Sequence, residues 1–133
     1  MTAAAEQPPG RDLDSDFFWT GLAEHRILLQ ACQACGSHRF PPMPSCPYCA
    51  STDFHVGPVS GSGRIYSLVK VHRAFSPEMA ASVPYTAAVV ELAEQVRVVG
   101  IIPGTHAEIG DLVDPVFLDH EGWTELGFER AAP

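Results

Sequence analysis

Apolar and polar residues alternate with the two-residue period of a β-strand through much of the second half of the chain. Residues 64–72 alternate in this way, and two runs rich in β-branched residues follow, separated by the polar turn Ala93-Glu94-Gln95. Two more short apolar runs come after a break in the pattern. The predicted strands cover residues 64–72, 85–92, 96–102, 112–118 and 123–128.

These strands predict a mainly β fold for the second half of the chain. The segment 73–84 reads as a long loop with two prolines, and 103–110 has room for a turn of helix between the third and fourth strands. Five short strands with such an insertion are typical of the partly open barrel of the oligonucleotide/oligosaccharide-binding (OB) fold, and a small sandwich satisfies the same pattern.

A short helix and one strand are predicted in the first half. The helix runs through Trp19 to Glu24, and Asp14, Ser15 or Asp16 is placed to cap it through a side-chain oxygen. A helix of this length needs tertiary packing to persist, because its own propensity is too weak. Residues 26–31 are apolar enough to form a strand that leads directly into the first cysteine.

The four cysteines form two Cys-x-x-Cys pairs, Cys32 with Cys35 and Cys46 with Cys49, separated by ten residues. Two such pairs supply the four thiolates of a tetrahedral metal site, and they lie in a Pro- and Gly-rich stretch with few residues able to form a core. We therefore predict a structural Zn²⁺ that holds this stretch together. Iron in the same S₄ geometry, a dithiol redox pair and disulfides are the alternatives.

The residues that follow each cysteine pair differ in their backbone freedom. Gly36 follows the first pair and suits the left-handed conformation that such turns need. Ala50 stands at the corresponding place after the second pair, where a side chain fits less comfortably.

Composition and charge narrow the class of protein. The chain has 133 residues, 46% of them hydrophobic, and a formal net charge of −8, with seven acidic residues against only Arg130 after Pro103. Such a surface repels phosphate, which argues against nucleic acid as a partner. No apolar stretch approaches the roughly 20 residues of a membrane span, and no export signal is recognisable, so a cytoplasmic location is expected.

No catalytic set stands out, because the six histidines are scattered and none is placed beside a cysteine nucleophile. Positive charge is concentrated locally on the first predicted barrel strand. There Arg64, Tyr66, Lys70 and His72 are expected to point outwards, and Ile65, Val69 and Val71 into the barrel. The candidate contacts to coenzyme A phosphates or to a partner are Arg64, Lys70, Arg73 and Arg97.

The order of these parts resembles a known family. The chain shares with it the strand that leads into Cys32, the Phe40-Pro41-Pro42 step, the second cysteine pair and the segment Gly63-Arg64-Ile65-Tyr66-Ser67. By these motifs it resembles the acyl-CoA-associated OB-fold family with an N-terminal rubredoxin-like zinc ribbon, long catalogued as a domain of unknown function. The resemblance covers roughly residues 14–129.

The resemblance implies partnership more than catalysis. Members of the family typically assemble with thiolase-superfamily enzymes, including aldolases that cleave steroid side-chain CoA thioesters, and the catalytic residues belong to the partner. The expected function is therefore that of a non-catalytic accessory subunit that helps to form the partner's substrate channel, with acyl-CoA as a further candidate ligand. A single-stranded nucleic-acid-binding module is the alternative.

The resemblance also organises the chain into parts. Residues 1–13 and 130–133 are predicted tails, 14–59 the helix and zinc ribbon, and 60–129 the OB barrel. Exposed apolar residues on the helix and on the loop after the first barrel strand would form the partner interface. The candidates are Phe17, Phe18, Trp19, Phe75 and Tyr85.

Overall fold

The fold is that of a computed structural model, which describes residues 9–104 and 106–132, except for the side chain of Met79. The tail predicted for residues 1–13 lies mostly outside the described residues. Within the described residues, no helix has the length and apolar character needed to cross a membrane.

The predicted helix is present as α1, Asp16–Ala23, with Ser15 at its N-cap position. The predicted side-chain cap is wrong, because no side chain accepts a hydrogen bond from the first turn of the helix. Instead, the Ser15 hydroxyl accepts a hydrogen bond from the Asp12 N–H at 3.3 Å, and Asp12 Oδ1 accepts one from the Ser15 N–H at 2.9 Å. These two hydrogen bonds close the turn before the helix. The helix itself is stabilised by tertiary packing.

A three-stranded antiparallel sheet carries the cysteine-rich stretch. Its strands are β1 (Ile27–Cys32), β2 (His38–Arg39) and β3 (Phe54–Val59), in the order β2-β1-β3. Of these, β1 agrees with the strand predicted for 26–31, whereas β2 and β3 were not predicted. In β3, Gly57 and Pro58 look like turn residues in sequence, but an edge strand tolerates proline because its outer N–H groups need no partner.

The five barrel strands are all present. They are β4 (Gly63–Val71), β5 (Tyr85–Leu92), β6 (Arg97–Ile102), β7 (Leu112–His120) and β8 (Trp123–Arg130), in the order β4-β5-β6-β8-β7. The barrel closes through a short antiparallel contact of β4 with β7 and one parallel bridge, Ile101 to Gly127. The barrel, not the sandwich, is thus confirmed.

A β-bulge in β4 changes which side chains point into the barrel. The pairing register of β4 with β5 shifts between Ile65 and Ser67. Beyond that point, the residues of β4 that strict alternation would point into the barrel point outwards instead. The predicted alternation therefore fails after the bulge: Val69 and Val71 share the outer side with Val89, and Val69 is 56% exposed. Strict alternation cannot anticipate an inserted residue.

The helical turn predicted for 103–110 does not appear among the described residues of that segment. A short 3₁₀ turn forms instead at Pro77–Met79, inside the long loop between β4 and β5. There Pro77 occupies the first position of the turn, where its fixed φ and missing N–H are tolerated.

One continuous hydrophobic core joins the helix, the three-stranded sheet and the barrel. Phe18 and Leu22 of α1 and Ile27 and Leu29 of β1 are buried in the same cluster as Phe128 and the other inward-facing barrel residues. Because these parts share a core, the ribbon cannot be displaced from the barrel without exposing apolar surface.

Candidate metal centre and partner surface

Two tight turns of the same design present the four cysteines. Cys32 ends β1, and the Gly36 N–H donates to the Cys32 carbonyl oxygen at 2.9 Å, just as the Ala50 N–H donates to the Cys46 carbonyl oxygen at 2.9 Å. Both turns end in the left-handed region, with φ of 80° at Gly36 and 68° at Ala50. The expected strain at Ala50 is therefore present.

The four sulfur atoms converge. All four Sγ atoms lie within 4.8 Å of one another, with Cys32 and Cys49 at 3.6 Å and Cys35 and Cys46 at 3.6 Å. A tetrahedral ion with metal–sulfur bonds of about 2.3 Å needs sulfurs about 3.8 Å apart, whereas a disulfide would bring them to about 2.05 Å. The donor set fits a closed tetrathiolate site with no position left for a substrate.

Nearby hydrogen-bond donors favour negative charge on the sulfurs of the first pair, Cys32 and Cys35. The Cys35 N–H points at Cys32 Sγ at 3.5 Å, and this contact lowers the pKa of the Cys32 thiol. Hydrogen bonds from the hydroxyl and backbone of Ser37 lower the pKa of Cys35 to about 6. At Cys49 the Ser51 backbone acts in the same direction, but the neighbouring Cys32 thiol and burial outweigh it and raise the pKa to about 12. Metal binding would have to displace the remaining protons.

Two buried polar side chains, which no sequence pattern singled out, hold the loop between the cysteine pairs. Gln30 makes two hydrogen bonds to the backbone of Met43, donating to its carbonyl oxygen and accepting from its N–H, both at 2.9 Å. Arg39 Nε donates to the same carbonyl oxygen at 3.2 Å. They stand opposite each other on β1 and β2. In sequence they resemble ordinary polar strand residues.

Two of the four candidate basic residues lie together on the outside of the barrel. Register places Glu91 opposite both Arg64 and Arg97. Arg97 Nε is 3.3 Å from Glu91 Oε2, and its guanidinium carbon is 3.6 Å from the centre of the Tyr66 ring. Arg64 Nη1 donates to the Gly110 carbonyl oxygen at 2.7 Å. Both guanidinium groups therefore already have partners within this chain.

The other two basic residues are separate from that pair. Lys70 is exposed near the far end of β4, roughly 20 Å from Arg64 at the usual rise per residue of a strand, and Arg73 is exposed just beyond it. The bulge also places Lys70 on the opposite strand face from Arg64, contrary to the predicted shared face. The structure does not gather the four residues into one cluster.

The candidate interface aromatics fall into different environments. Phe18 is only 5% exposed and belongs to the core, so it is corrected from a partner contact to a core residue. Phe17 and Trp19 are partly buried against the same core. Phe75 in the long loop is 73% exposed, and Tyr85 at the start of β5 is half-buried.

A continuous apolar surface lies on the outside of β4, β5 and β6. Cross-strand register aligns its members in two rows, and Val69 and Val99 are more than half exposed. We call this surface the valine face; it consists of Val69, Ala87, Val89, Val99 and Ile101.

An apolar cavity of about 340 Å³ adjoins the valine face. Its lining includes Val99 and Ile101 of that face together with Trp19, Phe40 and Trp123. The aromatic rings pack in a chain, with Trp19 edge-on to Trp123 at 6.2 Å between ring centres. The face and the cavity together give an apolar surface larger than either alone.

The β7–β8 hairpin brings two histidines beside carboxylates. His25 Nε2 lies 3.0 Å from Asp119 Oδ2, and His120 Nε2 lies 2.9 Å from Glu125 Oε1. The Thr124 hydroxyl donates to Asp119 at 2.7 Å and, with His25, lowers the pKa of Asp119. The partner of His25 is 94 residues away in the chain, whereas His120 and Glu125 are only five residues apart and meet across the hairpin. The first pair connects the end of α1 to the hairpin, and the second lies within the hairpin.

Family comparisons agree with this geometry. Residues 19–55 match the family description "ChsH2, rubredoxin-like zinc ribbon domain", and residues 57–118 match "ChsH2, C-terminal OB-fold domain". The two matches meet at residue 56, within β3, and together cover more than half of the chain.

Individual proteins also resemble the chain. It is 32% identical over 124 residues to the 3-oxo-4,17-pregnadiene-20-carboxyl-CoA hydratase alpha subunit of Mycobacterium tuberculosis. The match covers 91% of this chain but 39% of that protein, and the chain spans about two fifths of the length of the curated hydratase alpha subunits it matches. A DUF35 domain-containing scaffold protein of Methanocaldococcus jannaschii is 34% identical, with 74% of this chain and 73% of that protein covered.

Among solved structures, the chain is similar to one chain of the "Ltp2-ChsH2(DUF35) aldolase". The identity is 32% and the TM-score 0.81, with 94% of this chain and 100% of that chain covered. The match therefore extends over the helix, the ribbon and the barrel together.

Proposed function

The chain belongs to the family of ChsH2 zinc ribbon and OB-fold domains, and from that premise we propose that it is a non-catalytic accessory subunit of an acyl-CoA enzyme. The observation that carries the proposal is the match, over that chain's full length, to one component of a two-protein aldolase. The partner would be a thiolase-superfamily protein that supplies the catalytic residues, with this chain helping to form its substrate channel.

The ion in the ribbon is part of the proposal. Zn²⁺ held by Cys32, Cys35, Cys46 and Cys49 is supported by the convergence of four sulfurs and by the ribbon family match. Four thiolates complete the shell of the ion, so its contribution would be to the stability of the fold and not to chemistry. A cytoplasmic setting, which keeps thiols reduced, suits such a site.

The substrate class follows from the relatives. A hydratase alpha subunit named for a pregnadiene carboxyl-CoA and an aldolase are both similar to this chain. We therefore expect the assembled enzyme to act on a CoA thioester, with a steroid side-chain thioester as the leading candidate and aldol cleavage as the leading reaction.

The valine face is the best-supported docking surface. It is apolar, exposed and continuous with the aromatic cavity beside Trp19, and Phe75 in the loop after β4 is a further exposed apolar residue. A partner that covers this face would remove the exposed halves of Val69 and Val99 from water, which favours association.

Lys70 and Arg73 are the better candidates among the basic residues for contact with the CoA moiety or with acidic residues of the partner. Both are exposed, and neither makes an ion pair among the described residues. Arg64 and Arg97 are less available because each already binds an acceptor in this chain. Such contacts would steer association and weaken with salt.

Co-purification with the thiolase-like partner tests the proposal. Val69→Asp and Val99→Asp each place a charge on the valine face, and we expect either to reduce capture of the co-expressed partner at least tenfold while the melting temperature stays within a few degrees. Val56→Asp, on β3 of the other sheet, is the matched control because Val56 is also partly exposed. Equal capture of the partner by all three variants would show that the valine face is not the docking surface. Capture of single-stranded nucleic acid by the wild-type chain would favour the alternative function.

A further inference from the structure

Arg39 is a buried arginine that pairs with no carboxylate among the described residues. Its side chain is 2% exposed, and neither Nη1 nor Nη2 makes a hydrogen bond within the described part of the chain. No Asp or Glu in the described ranges is fully buried, and none forms an ion pair with Arg39. A buried guanidinium without compensation is costly, so its presence calls for a source of negative charge nearby.

The register of the three-stranded sheet shows where the Arg39 side chain lies. Arg39 on β2 stands opposite Gln30 on β1, whereas Cys32, two residues further along β1, stands opposite Phe54 on β3. The Arg39 guanidinium carbon is 4.9 Å from the centre of the Phe54 ring. To reach Phe54 from β2, the side chain must cross β1 between Gln30 and Cys32, on the face that carries the first metal-binding cysteine.

The second cysteine turn lines a cavity beside Arg39. Arg39 lines a cavity of about 330 Å³ together with Pro47 and Tyr48, which lie between Cys46 and Cys49. Glu91 of the barrel lines the same cavity, but its carboxylate is exposed and pairs with Arg97 at 3.3 Å and not with Arg39.

We propose that Arg39 is the counter-charge of the metal centre. The inference rests on the proposed zinc: four thiolates around a dication carry a net charge of −2, and this charge is the compensation that the arginine otherwise lacks. Attraction between the two is strengthened because the guanidinium, Cys32 and Cys46 are buried, whereas Cys35 and Cys49 reach the surface. Arg39 acts through the thiolates as a positioning residue and not as a metal ligand.

The pairing links metal loading to the junction between ribbon and barrel. With the metal bound, the guanidinium is compensated and its Nε holds the Met43 loop. Without it, the junction contains an uncompensated cation, which destabilises the metal-free form. Both effects raise the affinity for zinc, so neutralising Arg39 should lower it.

The test is zinc affinity of the full chain, measured by competition with a chromophoric chelator. Arg39→Met keeps an elongated side chain and removes the charge, and we expect its zinc affinity to fall by about tenfold or more, in the range seen when residues behind metal ligands are changed. Arg39→Lys keeps the charge and should stay within about threefold of wild type. Arg26→Met is the matched control, since Arg26 is exposed and its one ion pair among residues 9–104 and 106–132 is with Glu24.

Salt dependence separates this effect from a change in surface charge. The loss in Arg39→Met should persist at 1 M salt, because a buried interaction is little screened. Should Arg39→Met be insoluble, Arg39→Gln provides a second neutral variant with the same expected loss.

The outcomes distinguish the two proposals. Unchanged zinc affinity in the folded neutral variant, or equal losses in the neutral variant and in Arg39→Lys, would overturn the counter-charge and leave the zinc site standing. A wild-type chain that takes up no zinc would overturn both.

Discussion

At the scale of single residues, the metal-binding positions are readable from sequence and their supports are not. Cysteine spacing alone identifies the four sulfurs that converge in the structure. Gln30 and Arg39 carry no such signal, because their importance arises from the pairing of β1 with β2, which brings distant residues together. The same is true of His25 and Asp119, which are separated by 94 residues.

Ala50 offers a prediction at this scale. Its φ of 68° lies in the left-handed region, where a Cβ costs roughly 1–2 kcal/mol, and the corresponding residue of the first turn is glycine. We expect Ala50→Gly to raise the free energy of unfolding by about 1 kcal/mol in the metal-bound protein, as measured by urea denaturation. Ala34→Gly is the control: Ala34 has no positive φ, so added glycine freedom should be neutral or destabilising there. Stabilisation by both substitutions, or by neither, would contradict the account of strain.

At the scale of elements, periodicity identified all five barrel strands, but it missed the bulge in β4 and the strand β3 of the other sheet. Each barrel strand stands within a few residues of its predicted bounds. The bulge between Ile65 and Ser67 could not be predicted, because one inserted residue changes the alternation and no particular residue type marks its position. Strand β3 was hidden for a different reason: Gly57 and Pro58 are depleted in strands, and only pairing with β1 holds them extended.

Gly63 provides the prediction for the elements. It pairs with both β5 and β7, and a Cβ there would collide with the Glu91 carbonyl oxygen and lie 2.9 Å from Val90 Cγ1. We expect Gly63→Ala to lower the free energy of unfolding by about 2 kcal/mol, since backbone atoms cannot move aside without disturbing barrel closure. Gly57→Ala is the control, because a Cβ at Gly57 meets nothing within 4 Å. Similar denaturation midpoints for Gly63→Ala and wild type would show that the barrel closes by other contacts.

At the scale of the whole molecule, the ribbon and the barrel behave as one body. The shared core holds the cysteine-rich stretch and the helix against the barrel, with Trp19 of the helix beside the valine face. The sequence indicates the presence of both parts and, through resemblance, a partner. The position of the docking surface could not be predicted, because the bulge in β4 moves Val69 to the outside and burial removes Phe18 from the candidates.

The central claim is that this chain, with zinc bound in its ribbon, is a subunit of a larger acyl-CoA enzyme. Light scattering during size-exclusion chromatography of the chain co-expressed with its thiolase-like partner, combined with elemental analysis of the peak, tests it most directly. The account predicts a single hetero-oligomeric peak that contains both proteins and one zinc per copy of this chain. Elution of this chain apart from the partner, at the 14.3 kDa mass of the free monomer, would contradict it.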